Sequence, residues 1–162
     1  MRANTKNRSN TREGLMTAMA SVGCVIKDGS SRDRIMFSYG GMHFLALHSE
    51  EAAYLCVVLL PFCEVSDFPS LAAANEAINE LNAKVKLARV WTEDGDVRAS
   101  AETLLGGDMT SENAIQKLLL SLQNIHTETR VRQRFSQLQK QQMAEVESSA
   151  NTESVADTVA LH

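Results

Sequence analysis

The sequence predicts an α+β fold: a single antiparallel sheet with helices, in the order helix–strands–helix–hairpin–helix. Three observations carry that reading. Apolar residues step by three and four in three separate stretches, 11–22, 69–84 and 110–125. Between these stretches the period changes to two, or to a continuous apolar run. The strand-like stretches are joined by short turn signals, Gly40-Gly41 and Asp94-Gly95, which link antiparallel neighbours.

The elements follow in order. Asn10 and Glu13 have capping-box spacing, and Leu15, Met16, Met19 and Val22 form the apolar stripe of a first helix that Gly23 stops. Residues 24–27 are extended, and Asp28-Gly29-Ser30-Ser31 is a turn. Residues 34–39 alternate, with Ile35, Phe37 and Tyr39 on one face. In the partner strand, 42–48, Leu45 and Leu47 oppose Phe44 and Ala46. Residues 53–63 are apolar on both faces, which predicts a central strand covered on both sides. Ser66 or Asp67 is the expected cap of a second helix, with Pro69 in its first turn and Leu71, Ala74, Ile78, Leu81 and Val85 as its stripe.

Residues 85–92 and 97–105 read as the two strands of the Asp94-Gly95 hairpin. Thr110 or Ser111 caps a final helix whose stripe is Ile115, Leu118, Leu119, Leu122 and Ile125. A thinner stripe continues through Val131, Phe135 and Leu138, flanked by Arg130, Arg132, Arg134 and Lys140. The expected organisation is a disordered basic arm at 1–10, a domain at 11–127, a helical extension at 128–145 and a disordered acidic tail at 146–162.

The 162 residues suit one domain, able to bury roughly 70% of its unfolded surface without disulfides or metal. A net charge of −4 weighs against a dedicated nucleic-acid binder. The basic start lacks the apolar run of a secretory signal, and the most apolar stretch, 52–63, falls short of the ~20 residues a bilayer span needs. Cys24, Cys56 and Cys63 are odd in number and form no C-x-x-C, as reduced thiols of a cytoplasmic protein would. Neither membrane nor cofactor is expected.

No motif announces a reaction. His43 and His48 fall on opposite faces of their strand, and His126 and His162 lack companions at ligand spacing, so no metal set is expected. Gly40-Gly41 and Gly106-Gly107 are turns rather than phosphate loops. Glu50-Glu51 and Glu93, Asp94 and Asp96 sit in turns, where carboxylates are solvated rather than paired for acid–base work. Asn75, Asn79 and Asn82 share one side of the second helix. They either offer amides to a ligand or bond neighbouring backbone and pin the helix to a sheet edge. Trp91 is the only tryptophan; in a strand beside Leu87 and Arg89 it is either core or the anchor of an interface.

The set of elements resembles the type III secretion chaperone-like fold, and in particular the family of putative bacterial sensory transduction regulators. The residues that carry the resemblance are the short helix ending at Gly23, the strand pair around Phe37 and Gly41, the segment Ala74-Asn75-Glu76-Ala77-Ile78-Asn79-Glu80-Leu81-Asn82 leading into Lys84-Val85-Lys86, and Glu93-Asp94-Gly95-Asp96-Val97 before the last strand and helix. They span 11–127. The resemblance implies a small, non-enzymatic, often dimeric module that binds another protein. The expectation is therefore a protein-binding adaptor or chaperone-like dimer, with Trp91, Arg89, Phe135 and Leu138 as partner-binding residues. Two alternatives stand beside it: a nucleic-acid-associated regulator using the basic arm and helix, and an unrecognised enzyme.

Overall fold

The computed structural model describes residues 11–28, 31, 33–130, 133 and 144. The chain divides into two compact units, residues 1–126 and residues 127–162. In chain order the described elements are α1 (Arg12–Ser21), β1 (Val25–Ile26), β2 (Arg34–Tyr39), β3 (Met42–Ser49), β4 (Tyr54–Glu64), α2 (Leu71–Lys84), β5 (Ala88–Glu93) and β6 (Asp96–Leu104). They are followed by α3, helical over 111–130. The fold is α+β, with one sheet of strand order β1-β2-β3-β4-β6-β5 and every described pairing antiparallel.

Local chemistry explains the boundaries. The cap of α1 is Thr11, whose hydroxyl accepts from the Gly14 amide at 3.1 Å, rather than the expected Asn10, which lies outside the described residues. Gly23 ends the helix as read from the sequence. At φ +94 it takes the left-handed conformation. Its amide donates to Ala20 while that of Cys24 donates to Met19, the paired bonds of a Schellman stop. A short 3-10 turn, Val65–Asp67, precedes α2, and the cap of α2 is Ser70, not Ser66 or Asp67. The Ser70 hydroxyl accepts from the Ala73 amide at 3.1 Å, so Pro69 stands just outside the helix. Leu71, the first helical residue, is 56% exposed, while the stripe residues Ala74, Ile78 and Leu81 are buried as expected.

The hairpins use mirror-image turns. Gly40 and Gly41 have φ +55 and +78, and Asp94 and Gly95 have φ +53 and +86. Positive φ at both central residues matches the twist of the flanking strands, so Tyr39 pairs with Met42 and Glu93 with Asp96.

One face of the sheet carries the core. Register aligns Phe37, Phe44, Leu59, Ala99 and Val90 across five strands, with Ile35, Ala46, Val57 and Ala101 in the next row. The rings of Phe37 and Phe44 stack with centroids 5.3 Å apart. Leu15 and Met19 of α1, Ile78 of α2, and Ile115, Leu118, Leu119, Leu122 and Ile125 of α3 join these residues in a single core. The final helix thus covers the same face as α1. As expected, β4 is central, between β3 and β6; among the described residues helices cover one of its faces.

Candidate functional site

The opposite face alternates with the core face residue by residue. Leu45 and Leu47 of β3 and Val58 and Leu60 of β4 project there, all half-buried. Met36 of β2 lies beside Leu45 and is 40% exposed. The strand β4 loses regular register between Leu59 and Cys63. At that irregularity lies a groove of 770 Å³, lined by Leu45, Leu47, Val58, Leu60, Trp91 and Arg98 among others. Trp91 and Arg98 are register partners on β5 and β6. Glu64, Asp67 and Asp96 complete the rim. Arg98 is held by Glu93 at 2.6 Å and Asp96 at 3.8 Å.

At the β5 edge of the sheet a side chain occupies the backbone groups of one central residue. The amide of Asn82 donates to the Val90 carbonyl and accepts from the Val90 N–H, each at 2.9 Å. One side chain therefore satisfies the outward peptide groups at Val90 as a further strand would. This is the pinning of helix to sheet edge that the asparagine spacing suggested, and it falls to Asn82. Asn75 and Asn79 are exposed.

A polar cluster borders the apolar patch. The Tyr54 hydroxyl donates to the Glu102 carboxylate, and Arg89 approaches Glu102 at 3.9 Å. The bond to Glu102, then burial, raises the Tyr54 phenol above its ordinary range. Burial is also the main cause that raises the Cys56 thiol. Burial pushes Cys24, on the other side of the sheet, up to about 11. Nucleophilic thiols need the opposite displacement, toward thiolate at neutral pH. Among the described residues no group of three or more His, Cys, Asp or Glu is placed to hold a metal ion. No helix among them is long and apolar enough to cross a membrane.

The structure brings two of the sequence-selected residues to this face. Trp91 lines the groove half-buried, and Arg89 stands exposed beside Glu102. Phe135 and Leu138 lie outside the described residues. Sequence reasoning misses Leu45, Leu47, Val58 and Leu60 as site residues because an apolar residue on a strand shows that burial is favourable and not what buries it. The available signal was the alternation itself, which put these residues opposite Phe44 and Leu59.

Compared with known families, residues 11–127 match the one described as putative bacterial sensory transduction regulator, the YbjN family. The chain belongs to that family. Its description names a regulator and no reaction, in keeping with a regulatory or adaptor role. No curated protein matches the chain. Among solved structures it is similar to YbjN from E. coli, titled a putative transcription regulator, with a TM-score of 0.53 and 9% identity over 72% of this chain and 86% of that one. At that identity the likeness concerns the fold.

Proposed function

We propose that the protein is a non-catalytic, protein-binding regulatory adaptor of the cytoplasm, chaperone-like in its action, that works as a homodimer and docks its partner on the open sheet face. The observation that supports this is the half-buried apolar patch of Leu45, Leu47, Val58 and Leu60, beside Trp91, which no described helix covers. A monomer seldom leaves such a patch contiguous and polar-rimmed without using it. On that face burial raises the Cys56 thiol, away from the thiolate form a nucleophile needs, which fits a packing surface. Two-fold homodimers are the commonest oligomers, and Phe135 and Leu138 are apolar positions that a second copy could bury.

The test pairs two substitutions, Leu45→Gln with Leu60→Gln, with purification of the full chain under native conditions. A protein partner that accompanies the wild type in stoichiometric amount should be lost from the variant while its melting temperature changes little. A partner retained by the variant overturns the site. Light scattering should give twice the chain mass, shifting toward the monomer in Phe135→Glu with Leu138→Glu. The neighbour's title motivates a second reading, a nucleic-acid-associated regulator using basic residues such as the exposed Arg130. Nucleic acid that co-purifies and is lost as salt rises would favour it.

A further inference from the structure

We propose that the groove on the open face takes a basic amphipathic segment of another protein, one presenting large apolar side chains together with Lys or Arg. The inference rests on the docking reading above and names the chemistry of the partner.

The floor sets the first requirement. Leu45, Leu47, Val58 and Leu60 give an apolar base, and Trp91 gives an aromatic wall of the kind that anchors interfaces. The volume, 770 Å³, accommodates several side chains rather than one. The rim sets the second. Three carboxylates line it, from Glu64, Asp67 and Asp96, against one guanidinium, from Arg98. That guanidinium is already engaged by Asp96 and by Glu93, a fourth carboxylate at 2.6 Å. The local charge is negative, so phosphate-bearing partners are repelled and cationic ones attracted.

Two of the carboxylates are also positioned in advance. The Glu64 amide donates to Asp67 Oδ2 at 3.0 Å, and the Ser66 hydroxyl donates to Glu64 Oε2 at 2.9 Å. Groups held in place before binding lose less freedom when a partner arrives.

The sheet edges narrow the mode of docking. At β5, Asn82 already occupies the outward peptide groups of Val90. The other edge, β1, is two residues long. Strand addition at β5 would have to displace Asn82, and β1 offers only two residues to pair with. The segment therefore lies across the face and is held by side chains.

Trp91 is the only tryptophan, so its emission reports on the groove directly. The experiment titrates the full chain with three synthetic peptides of one Leu/Ala pattern, their polar positions filled by Lys, Gln or Glu. The Lys peptide should shift and protect Trp91 from iodide quenching. It should bind roughly tenfold more tightly than the Gln peptide at low salt, the effect of a few partly screened charge pairs, and the advantage should shrink as salt rises. The groove variant Glu64→Gln, Asp67→Asn, Asp96→Asn should lose that advantage. A control with the same charge change at exposed sites elsewhere, Glu13→Gln, Glu76→Gln, Asp108→Asn, should keep it.

Equal binding of the Lys and Gln peptides, or tighter binding of the Glu peptide, overturns the basic chemistry and leaves the docking face standing. Equal loss in the control variant overturns it too, by assigning the preference to net charge. If no peptide moves Trp91, or if Trp91 is already protected in the free chain because a second copy or the chain's own remainder covers it, the docking face falls as well.

Discussion

Phe44 and Leu45 are neighbours in sequence, lie on one strand and face opposite sides of one sheet. Phe44 is stacked on Phe37 and 1% exposed, under helices whose apolar stripes close over it. Leu45 sits half-buried on the floor of a groove whose rim is acidic. The two faces are similar in apolar content near the sheet centre and differ in what lies above them. Among the described residues, what distinguishes the two faces is that the helices pack on one of them. With α1 and α3 both on the same side, no described helix lies over the second side.

The largest expected effect separates the faces directly. Phe44→Ala should cost about 3–5 kcal/mol by urea denaturation, the usual loss for emptying a large aromatic site in a core. Leu45→Ala, one position on, should cost less, about 1–2 kcal/mol, because part of its side chain meets solvent already. Equal losses would show that the second face is packed as tightly as the first.

A smaller effect concerns alkaline pH. The thiol of Cys24 ordinarily ionises near 9.0 and in the fold near 11. Its contribution is complete below pH 9. Above that the unfolded chain releases the proton first, so stability should fall as pH rises from about 9 to about 11 and then level. Tyr54 on the open face, raised by its bond to Glu102, adds to the decline in the same direction. Denaturation midpoints across this range, for wild type, Cys24→Ala and Tyr54→Phe, would apportion the loss between the two sides of the sheet. Midpoints that do not fall would remove both contributions.

Smaller again is the edge. Asn82→Ala should cost about 1 kcal/mol, since the freed peptide groups of Val90 can turn to water in place of the amide. Its sharper sign should be faster hydrogen exchange at the Val90 N–H, with the rest of β5 little changed. Unchanged exchange there would mean that another group closes the edge.

The least effect on stability and the clearest on accessibility comes from thiol labelling. At neutral pH an alkylating reagent should leave Cys24 and Cys56 intact in the native chain, both being buried and held as thiols. Cys63, half-buried, should react before them. Prior labelling of Cys56 would show that the open face breathes more than its packing indicates.

Much of the fold is legible in particular residues. Gly23 and the pairs Gly40-Gly41 and Asp94-Gly95 mark a stop and two turns because each needs backbone angles that few other residues tolerate. The caps are less legible. Asn10 and Thr11 stand side by side, as do several candidates between Ser66 and Ser70, and capping energies among Ser, Thr, Asn and Asp differ too little to choose between neighbours. Thr11 and Ser70 are the caps in the fold, and Leu71, at the first position of α2, stays exposed although it is in phase with the buried stripe. Asn82 could be suspected from its spacing, but its partner, Val90, is eight residues on and is brought to it by the helix-to-strand connection.

The sequence by itself determined which residues share a face. Alternation along β2, β3 and β4 and the steps of three and four along the helices are local properties of the chain, set by the geometry of strand and helix. It also determined the antiparallel joins at the two tight hairpins, since a two-residue turn permits nothing else. Only the tertiary structure decided which apolar face would be core. An apolar residue records that burial is favourable, with no indication of what will bury it. The choice depended on where α3 came to rest after β6: it joined α1 in the core of Phe37 and Phe44, and no described helix lies over the patch of Leu45, Leu47, Val58 and Leu60 beside Trp91.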